Sequence, residues 1–341
     1  MYFFIAVAIC SLLIAISIKT LNVDGCKLMI NSVIPTINVT NDNNSNANFV
    51  SGFFGDGLLK CSRWISFYIP SISIVEASND IVIEVEDVSQ TQERLPIVES
   101  KIMSNNRIKN DTTYSPDFNA LLNQSLSFEI NKDLPSILIV HTHASESYTP
   151  TNQNSYLPSD PSRTEDIRFN MVRVGEEMTN ELKKYGLNVI HDKTIHDYPS
   201  YTNSYKNTLS TIDKYIENNP SIQIVLDIHR DALQAEDGTK TKLVTEIDGE
   251  KVAQVLVLCG TNQAGLPNDH WEENLKFALK IQDKLDKLYP GFARPLSIRK
   301  ERFNMHATNG SLILEIGTNG NTLEEALASI KYLAKCIAEV L

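Results

Sequence analysis

Apolar and polar residues follow two different periods in the part of the chain after Leu134. Short apolar runs predict strands, and longer segments with an apolar residue every three or four positions predict amphipathic helices. The predicted strands are 137–141, 187–191, 222–232, 251–262 and 311–322, and the predicted helices are 166–186, 205–220, 268–291 and 323–341. Because strands and helices alternate, we predict an α/β domain over 134–341, with a mostly parallel sheet flanked by helices.

A different pattern opens the chain, where residues 2–18 (YFFIAVAICSLLIAISI) carry no charge before Lys19. This run is close to the lower length limit for a transmembrane helix, which is about 17–25 residues. A cleaved signal peptide is the alternative, but no basic residue precedes the run and no small-residue cleavage pattern follows it. We therefore predict that 1–20 is a single-pass membrane anchor and that the rest of the chain lies outside the cytoplasm.

Between these two regions the periodicity is lost. Residues 38–52 (NVTNDNNSNANFVSG) are rich in asparagine and poor in apolar side chains, which is typical of flexible segments. No sustained helical or strand period follows before Leu134. We predict that 21–133 is an extracytoplasmic stalk, in which a small folded module is an open alternative.

Charge and cysteine content narrow the classes of function. The formal net charge is -11, from 31 Lys and Arg against 42 Asp and Glu, and the sequence has no basic stripe. Nucleic-acid binding is therefore not expected, because phosphate contacts need clustered positive charge. The five cysteines are scattered and never form a CxxC pair, so neither a disulfide framework nor a cysteine zinc site is predicted.

Three of the predicted strands end in polar side chains. These are His141, His143 and Glu146 after the first strand, Asp227, His229, Arg230 and Asp231 in the third, and Glu315 in the last. In doubly wound sheets, ligands bind outside the carboxyl ends of the strands. A carboxylate inside an apolar strand, such as Glu315, is costly to bury unless it is paired or binds a metal. Three such clusters on one edge of a sheet predict a metal-dependent site.

The types of side chain indicate which metal this site would hold. Two neutral imidazoles and one carboxylate, with an open fourth position, are typical of catalytic zinc (Zn2+). A remaining carboxylate can act as general base, and Glu315 suits that role because an apolar strand raises the pKa of its carboxyl. The sequence contains no HExxH, no GxSxG and no glycine-rich phosphate loop, so helical metalloprotease, serine hydrolase and phosphate-loop enzymes are disfavoured.

Four motifs in this region resemble the stage II sporulation protein P family. They are HTHASESYTP (141–150), VGEEMTNELKKYGLNVIHDKTIHDYPS (174–200), DIHRDA (227–232) and LEIGTNGNTLEEA (314–326). They occur in the family's order and spacing, and the resemblance covers 134–341. It implies an amidase-like catalytic domain in this part of the chain and a membrane anchor at the N-terminus.

The resemblance also implies a function. Members of this family are cell-wall hydrolases of endospore-forming bacteria that degrade peptidoglycan during engulfment of the forespore. The implied activity is that of a zinc-dependent N-acetylmuramoyl-L-alanine amidase, with endopeptidase cleavage of the stem peptides as well. The implied partners are the D-type lytic transglycosylase and the M-type membrane protein of the engulfment complex, at the septal membrane. Two alternatives stay open: a zinc hydrolase with another substrate, and a non-catalytic scaffold that binds the cell wall.

Carried over to this chain, the family motifs assign roles to individual residues. We predict His141, Glu146 and His229 as the zinc ligands. Glu315 is predicted to be the catalytic base, and His143 a catalytic residue that orients water or a ligand. Because His141 and His143 would project to the same side of an extended strand, either of them could be the ligand.

Four further residues are predicted to surround the site. Asp227 and Arg230 are expected to support the ligands, and Arg230 could instead bind a substrate carboxylate or form a surface salt bridge. Asn304 and His306 belong to the polar loop 302–310 and are expected to line the cleft, with His306 as a reserve ligand. Ordinary loop polarity is the alternative for these two residues.

Overall fold

The structure is a computed structural model that describes residues 97–102, 107–151, 154 and 162–341, together with the backbone of 72–77 and 80–85. The chain falls into two units, 1–93 and 94–341. In the first unit, β1 (Ile72–Ala77) pairs antiparallel with β2 (Asp80–Val85). The second unit contains the predicted catalytic region.

Strands and helices alternate along the described part of the second unit. The strands are β3 (Ile97–Ser100), β4 (Ile108–Asn110), β5 (Ile137–Val140), β6 (Val189–His191), β7 (Ile224–Asp231), β8 (Lys240–Ile247), β9 (Glu250–Ala253), β10 (Val255–Gly260), β11 (Leu296–Arg299) and β12 (Leu312–Thr318). The α-helices are α1 (Phe118–Asn123), α2 (Met171–Lys184), α3 (Ser204–Asn218), α4 (Trp271–Leu288) and α5 (Leu323–Val340).

Seven of these strands form one sheet in the order β4-β11-β10-β12-β7-β5-β6. Neighbouring strands in it are parallel, except for the antiparallel pair of β10 and β12. The other three form a smaller sheet in the order β3-β8-β9. The unit therefore has a mixed α/β fold, and its main sheet is mostly parallel, as predicted.

Helix α2 shows why the periodicity of the sequence predicts the helices well. Val174, Met178 and Leu182 recur every four residues and are buried on one side of the helix. Asn170 caps the first turn, where its side-chain oxygen accepts a hydrogen bond from a backbone N–H. Gly186 follows the last turn at φ +76°, a left-handed conformation that glycine adopts without strain.

The two faces of the main sheet are covered by different helices. In β5, Ile137 and Ile139 belong to the large core that includes residues of α2, α4 and α5. Leu138 and Val140 point to the opposite side, where they pack with Ile212 of α3. Each such fully buried side chain stabilises the fold by about 1.5–3 kcal/mol. We call the two sides of the sheet the α2 face and the α3 face, and consecutive residues of a strand alternate between them.

The described residues between 97 and 133, within the predicted stalk, contribute β3, β4 and α1 to the second unit. β4 extends the main sheet beside β11, and β3 extends the small sheet beside β8. The domain boundary predicted at 134 therefore falls inside the folded unit. β3 has 4 residues and β4 has 3, which is too short to show a period, and their partner strands lie far along the chain. β8 and β11 are likewise absent from the prediction.

Among the described residues, no helix has both the length and the apolar content that a membrane crossing requires. The predicted anchor over 1–20 lies outside the described residues, as does the predicted stalk up to residue 71. The anchor therefore stays a prediction.

Candidate active site

The carboxyl ends of β5, β7 and β12 lie side by side at one edge of the main sheet, because the three strands are parallel neighbours. Asp227 of β7 is in register with Val140 of β5, and His229 is in register with Glu315 of β12. Val140 packs on the α3 face, and the three polar residues share its side of the sheet. The structure thus brings these groups together at the predicted edge.

A turn over 142–145 brings two residues of the first motif, His143 and Glu146, to this cluster. The backbone N–H of Glu146 donates to the carbonyl of His143 across 3.0 Å and closes the turn. As a result, the rings of His143 and His229 meet edge-on with their centroids 5.3 Å apart. Glu146 Oε2 lies 3.5 Å from His229 Nδ1. Two imidazoles and a carboxylate are therefore neighbours on the α3 face.

His229 lies between two carboxylates. Asp227 Oδ1 is 2.9 Å from Nε2, within ion-pair distance but without hydrogen-bond geometry, and Glu146 faces Nδ1. Burial alone would lower the pKa of His229, yet the two carboxylates raise it well above its ordinary value. Burial likewise opposes ionisation of Asp227, but His229 and the bonds from Thr142 lower its pKa to about 2.

Glu146 is a buried carboxylate that stays ionised. Burial would raise its pKa, but the charges of Arg230 and His229 lower the pKa of Glu146 to about 2. Its Oε1 lies 3.6 Å from a guanidinium nitrogen of Arg163, and its Oε2 lies 3.4 Å from the backbone nitrogen of Arg230. Glu146 therefore brings a negative charge to the imidazole pair at every ordinary pH.

His143 is a neutral imidazole with an unused nitrogen. Burial lowers the pKa of His143 to about 4, against the opposing charge of Glu146. Its Nδ1 is buried and has no hydrogen-bond partner in the described part of the chain. Tyr201 stacks on the ring with centroids 4.3 Å apart and planes 9° apart, and Tyr205 meets it edge-on at 5.5 Å. The ring is therefore held by aromatic contacts, while a ring nitrogen remains available.

Glu315 is partly exposed as a residue, but one of its carboxylate oxygens is buried. Its Oε2 is buried and lacks a hydrogen-bond partner among the residues that the structure describes. Burial raises the pKa of Glu315 to about 8, with the charge of His229 opposing this shift and that of Glu146 adding to it. A carboxyl with a pKa in this range can exchange a proton near neutral pH.

Tyr201 and Tyr205 form a wall of the cluster that the sequence analysis did not select. Burial raises the pKa of Tyr205, and the nearby charges of Asp227 and Glu315 raise it further. Its hydroxyl therefore keeps its proton and can donate a hydrogen bond. The signal in the sequence is their place in DYPSYTNSY (197–205), which overlaps the end of the second family motif.

His141 lies on the α2 face, so the structure does not bring it together with Glu146 and His229, the other predicted ligands. It continues the alternation of Ile139, and the turn after it removes the extended geometry that would have put His141 and His143 on one side. Its Nδ1 is 3.0 Å from the carbonyl oxygen of Ile228, and its Nε2 is 2.9 Å from Nε2 of His191. Both ring nitrogens of His141 are thus engaged, whereas His143 occupies the position predicted for a ligand.

Arg230 is bound to the backbone of neighbouring loops. Its Nε donates to the carbonyl of Ser147 across 2.9 Å, and an Nη donates to that of Ser162 across 2.8 Å. Its side chain is 5% exposed. Arg230 therefore supports the loop that carries Glu146, and it is neither a surface salt bridge nor free to bind a substrate carboxylate in a bidentate fashion.

Asn304 and His306 do not reach the imidazole pair. Asn304 Nδ2 donates to the carbonyl of Tyr205 across 2.9 Å, and its side chain borders a small cavity together with Asp227. It supports Tyr205 from behind. His306 is half-buried, and its pKa is lowered by burial and then by the charge of Arg302. No hydrogen bond or ring contact joins His306 to the cluster within the described residues, so its position does not support a role as a reserve ligand.

The donors of the cluster suit zinc, although they are not arranged as a finished metal site. No three His, Cys, Asp or Glu side chains of the described ranges converge closely enough to hold an ion without adjustment. His143 Nδ1 and Glu315 Oε2 are nevertheless buried atoms without hydrogen bonds to any described group. Such atoms are costly in a protein interior unless they serve another partner. Two imidazoles beside an ionised carboxylate are a donor set that zinc prefers.

Two solved structures of cell-wall amidases are distantly similar to this chain. The CwlD amidase from Clostridioides difficile, in complex with the GerS lipoprotein, is 13% identical, with 60% of this chain and 94% of that chain covered and a TM-score of 0.37. The N-acetylmuramoyl-L-alanine amidase from Clostridium difficile 630 is 15% identical, with 61% and 94% covered and a TM-score of 0.34. Likeness at this level carries no conclusion about chemistry.

Sequence similarity is more specific. The chain is 27% identical to stage II sporulation protein P of Bacillus subtilis (strain 168) over 221 residues, which is 61% of this chain and 51% of that protein. The chain thus spans about half the length of this relative. The family model of Stage II sporulation protein P (SpoIIP) matches residues 65–338, which is most of the chain. This match confirms the resemblance of the motifs, and the chain belongs to the stage II sporulation protein P family.

Proposed function

We propose that this chain is a zinc-dependent peptidoglycan hydrolase that cuts the amide bond between N-acetylmuramic acid and L-alanine. The observation that carries the proposal is the cluster at the carboxyl ends of β5, β7 and β12, where buried imidazoles and carboxylates meet with unused hydrogen-bonding atoms. Its members are His143, Glu146, His229 and Glu315. Family membership supports the choice of peptidoglycan as the substrate.

His143, Glu146 and His229 are the residues that would hold the zinc ion. A ligand imidazole must be neutral, which the lowered pKa of His143 ensures, whereas His229 would give up its proton when the metal binds. Asp227 would then remain as the carboxylate that orients the ring of His229. Asp227 is itself fixed by Thr142, whose backbone N–H and hydroxyl donate to it across 2.8 and 2.5 Å.

Zinc, when bound, supplies a Lewis acid that polarises the scissile carbonyl and activates the attacking water. Glu315 supplies the proton transfers. Because burial raises the pKa of Glu315 to about 8, this carboxyl exchanges a proton near neutral pH, and in its carboxylate form it would accept one from the attacking water. It then returns this proton to the leaving amine. To Tyr205, whose hydroxyl stays protonated close to Glu315, we assign the donation of a hydrogen bond to the oxygen on which charge develops.

The experiment that tests this proposal is a digest of purified peptidoglycan by the full chain, with and without a chelator, followed by mass spectrometry of the products. We expect free stem peptides that begin with L-alanine, which disappear with the chelator and return with added zinc. A parallel digest contains a lytic transglycosylase, which shortens the glycan strands. Release that resists the chelator would contradict the zinc assignment. Loss of acetyl groups, or no release by zinc-loaded protein in either digest, would contradict the amidase assignment.

Three further features of the proposal rest on family membership and on the sequence. They are endopeptidase cleavage of cross-linked stem peptides, assembly with the D-type lytic transglycosylase and the M-type membrane protein, and an extracytoplasmic catalytic domain anchored by 1–20. Purified cross-linked muropeptides test the first feature. Co-purification from sporulating cells tests the second, and protease accessibility in intact cells tests the third.

A further inference from the structure

A segment that begins at the last residue of β6 contacts the loop of the candidate site without contributing to the chemistry proposed above. This segment is 191–197, HDKTIHD, and it lies within the second family motif. β6 is the edge strand beside β5, so the segment crosses the carboxyl end of β5 as it leaves the sheet. The backbone N–H of Asp192 donates to the carbonyl of Ile139 across 2.9 Å and starts this crossing.

The first contact is a hydrogen bond between two imidazoles. A carbonyl oxygen can only accept, so His141 Nδ1 carries the proton that it donates to Ile228. His141 Nε2 is then the acceptor of the N–H of His191 Nε2, 2.9 Å away. Gly175 of α2 lies against the pair, and a Cβ atom there would come within 2.6 Å of His191 Nε2. The side chain of His141 is thereby fixed in one orientation.

The second contact fixes the backbone at the same residue. His196 Nδ1 donates to the carbonyl of His141 across 3.0 Å, and His196 Nε2 lies 2.9 Å from the hydroxyl of Thr211 in α3. The carbonyl of His196 accepts a hydrogen bond from Asn207 Nδ2 across 3.0 Å. His196 is 3% exposed. It therefore ties the start of the turn to helix α3.

The third contact fixes the other end of the turn. Asp197, whose side chain is 0% exposed, accepts hydrogen bonds from the backbone N–H of Ser145 at 3.1 Å and from its hydroxyl at 2.6 Å. Arg163 donates to the same carboxylate across 2.8 Å and also lies 3.6 Å from Glu146. A buried carboxylate with this many donors holds its partners in a single geometry.

These contacts bracket His143, because they fix the chain at His141 on one side and at Ser145 on the other. We propose that residues 191–197 are positioning residues, which hold the turn 142–145 so that His143 and Glu146 face His229. This inference rests on the proposed function. A turn held in advance loses less conformational freedom when a metal binds, so removing the support weakens metal affinity even where the ligands remain.

The test compares zinc affinity in full-length variants, measured by competition with a chromophoric chelator. Asp197→Leu keeps the size of the side chain and removes all three hydrogen bonds, and we expect its zinc affinity to fall by about ten- to a hundredfold. Asp197→Asn retains an oxygen that can accept from Ser145, and it should recover most of the affinity. Asn274→Ala is the matched control, since it removes a buried hydrogen bond of 2.8 Å to the carbonyl of Thr308, away from the turn.

Amide hydrogen exchange of 141–147 in the metal-free protein supplies a readout that a general loss of stability would not mimic. It should accelerate in Asp197→Leu and not in Asn274→Ala. If Asp197→Leu does not fold, two milder variants replace it, and both should weaken zinc binding. Ser145→Ala removes the hydrogen bonds of this hydroxyl with Asp197 and Arg163, and Thr211→Val removes the hydrogen bond with His196. Wild-type affinity in all variants would overturn the inference and leave the proposed function intact. Absence of zinc binding by the wild-type protein would overturn the proposed function itself.

Discussion

Two pairs of histidines, in which only His191 is partly exposed, lie on opposite sides of the end of β5, and their ring geometries are almost the same. The rings of His141 and His191 meet with centroids 5.2 Å apart at 79°, and those of His143 and His229 with centroids 5.3 Å apart at 86°. The first pair lies on the α2 face near Gly175, and the second lies on the α3 face. Ring geometry alone therefore does not distinguish them.

Hydrogen bonding and charge separate the two pairs. Burial lowers the pKa of His141 to about 4 and that of His191 to about 3, and neither ring is bonded to a carboxylate among the described residues. The second pair is bordered by Asp227 and Glu146, and its His143 Nδ1 has no hydrogen-bond partner among the described residues. The comparison shows that two adjacent imidazoles become candidate metal ligands when a ring nitrogen is free and negative charge is close.

Removing a ring from each pair should give the largest contrast. His143→Ala is expected to abolish zinc binding and activity, because it removes a proposed ligand. His191→Gln should still bind one zinc ion per chain, with affinity weaker by at most about a hundredfold, as is typical for groups that support a ligand. Elemental analysis of the purified variants measures the zinc content. Full zinc content in His143→Ala would return the ligand role to His141.

Glu315→Gln tests the acid–base role on the α3 face. The substitution keeps the shape of the side chain and removes the proton exchange, so the rate of amide hydrolysis should fall by about 10²–10⁴-fold. Zinc affinity should stay near that of the wild type, because Glu315 is not among the proposed ligands. Glu301→Gln, a change at an exposed carboxylate, is the control for the loss of one charge. An active Glu315→Gln enzyme would require another general base.

Gly175→Ala tests how tightly the first pair is packed. Alanine normally favours a helix over glycine by about 1 kcal/mol. Here the new Cβ would collide with His141 Nε2 and lie 2.6 Å from His191 Nε2, so we expect a net loss of about 1–3 kcal/mol in the free energy of unfolding. Denaturant unfolding measures this change, and the exposed neighbour Glu176→Ala should stay within about 0.5 kcal/mol of the wild type. A stabilised Gly175→Ala variant would show that the pair has room to move.

The pH dependence of stability should report the neutral state of the first pair. The pKa of His191 is near 3 in the folded chain, mainly because of burial, against 6.5 when exposed. Below pH 6.5 the unfolded chain therefore binds a proton that the folded chain does not, and stability falls as the pH falls. The slope that His191 adds is at most about 1.4 kcal/mol per pH unit.

The measurement for this prediction is denaturant unfolding of the wild type and of His191→Phe, both with a chelator present. The free energy of unfolding should fall between pH 6.5 and pH 4 more steeply for the wild type than for His191→Phe. Between pH 7 and 8 the difference in free energy of unfolding between the two proteins should be constant, since His191 of the wild type is neutral in both the folded and the unfolded chain. If the two plots of unfolding free energy against pH ran parallel over the whole range, His191 would be protonated as readily in the folded chain as in the unfolded chain.

The elements of the second unit were predictable to the extent that their signals are local. Helix α2 has a cap, a period and a terminal glycine within one stretch of sequence, and the structure confirms it. β4 and β11 carry no such signal, because each is short and becomes a strand only through its neighbour in the sheet. The same limit applies to Asp197 and Arg163, whose contact with the turn joins segments that are far apart in sequence.

The sequence by itself determined the fold class, the edge of the sheet at which the polar groups meet, and the chemical types of those groups. Alternation along parallel strands puts His229 and Glu315 on one side of the sheet, and Glu146 follows the strand that ends at the same edge, which is why the three were found together. Only the tertiary structure decided the face of the sheet on which each of His141 and His143 lies. The two residues are only two positions apart. His141 continues the alternation of the strand and faces α2, whereas the turn that follows it directs the ring of His143 toward α3. The choice depends on which hydrogen-bond partners the rest of the fold brings to each face.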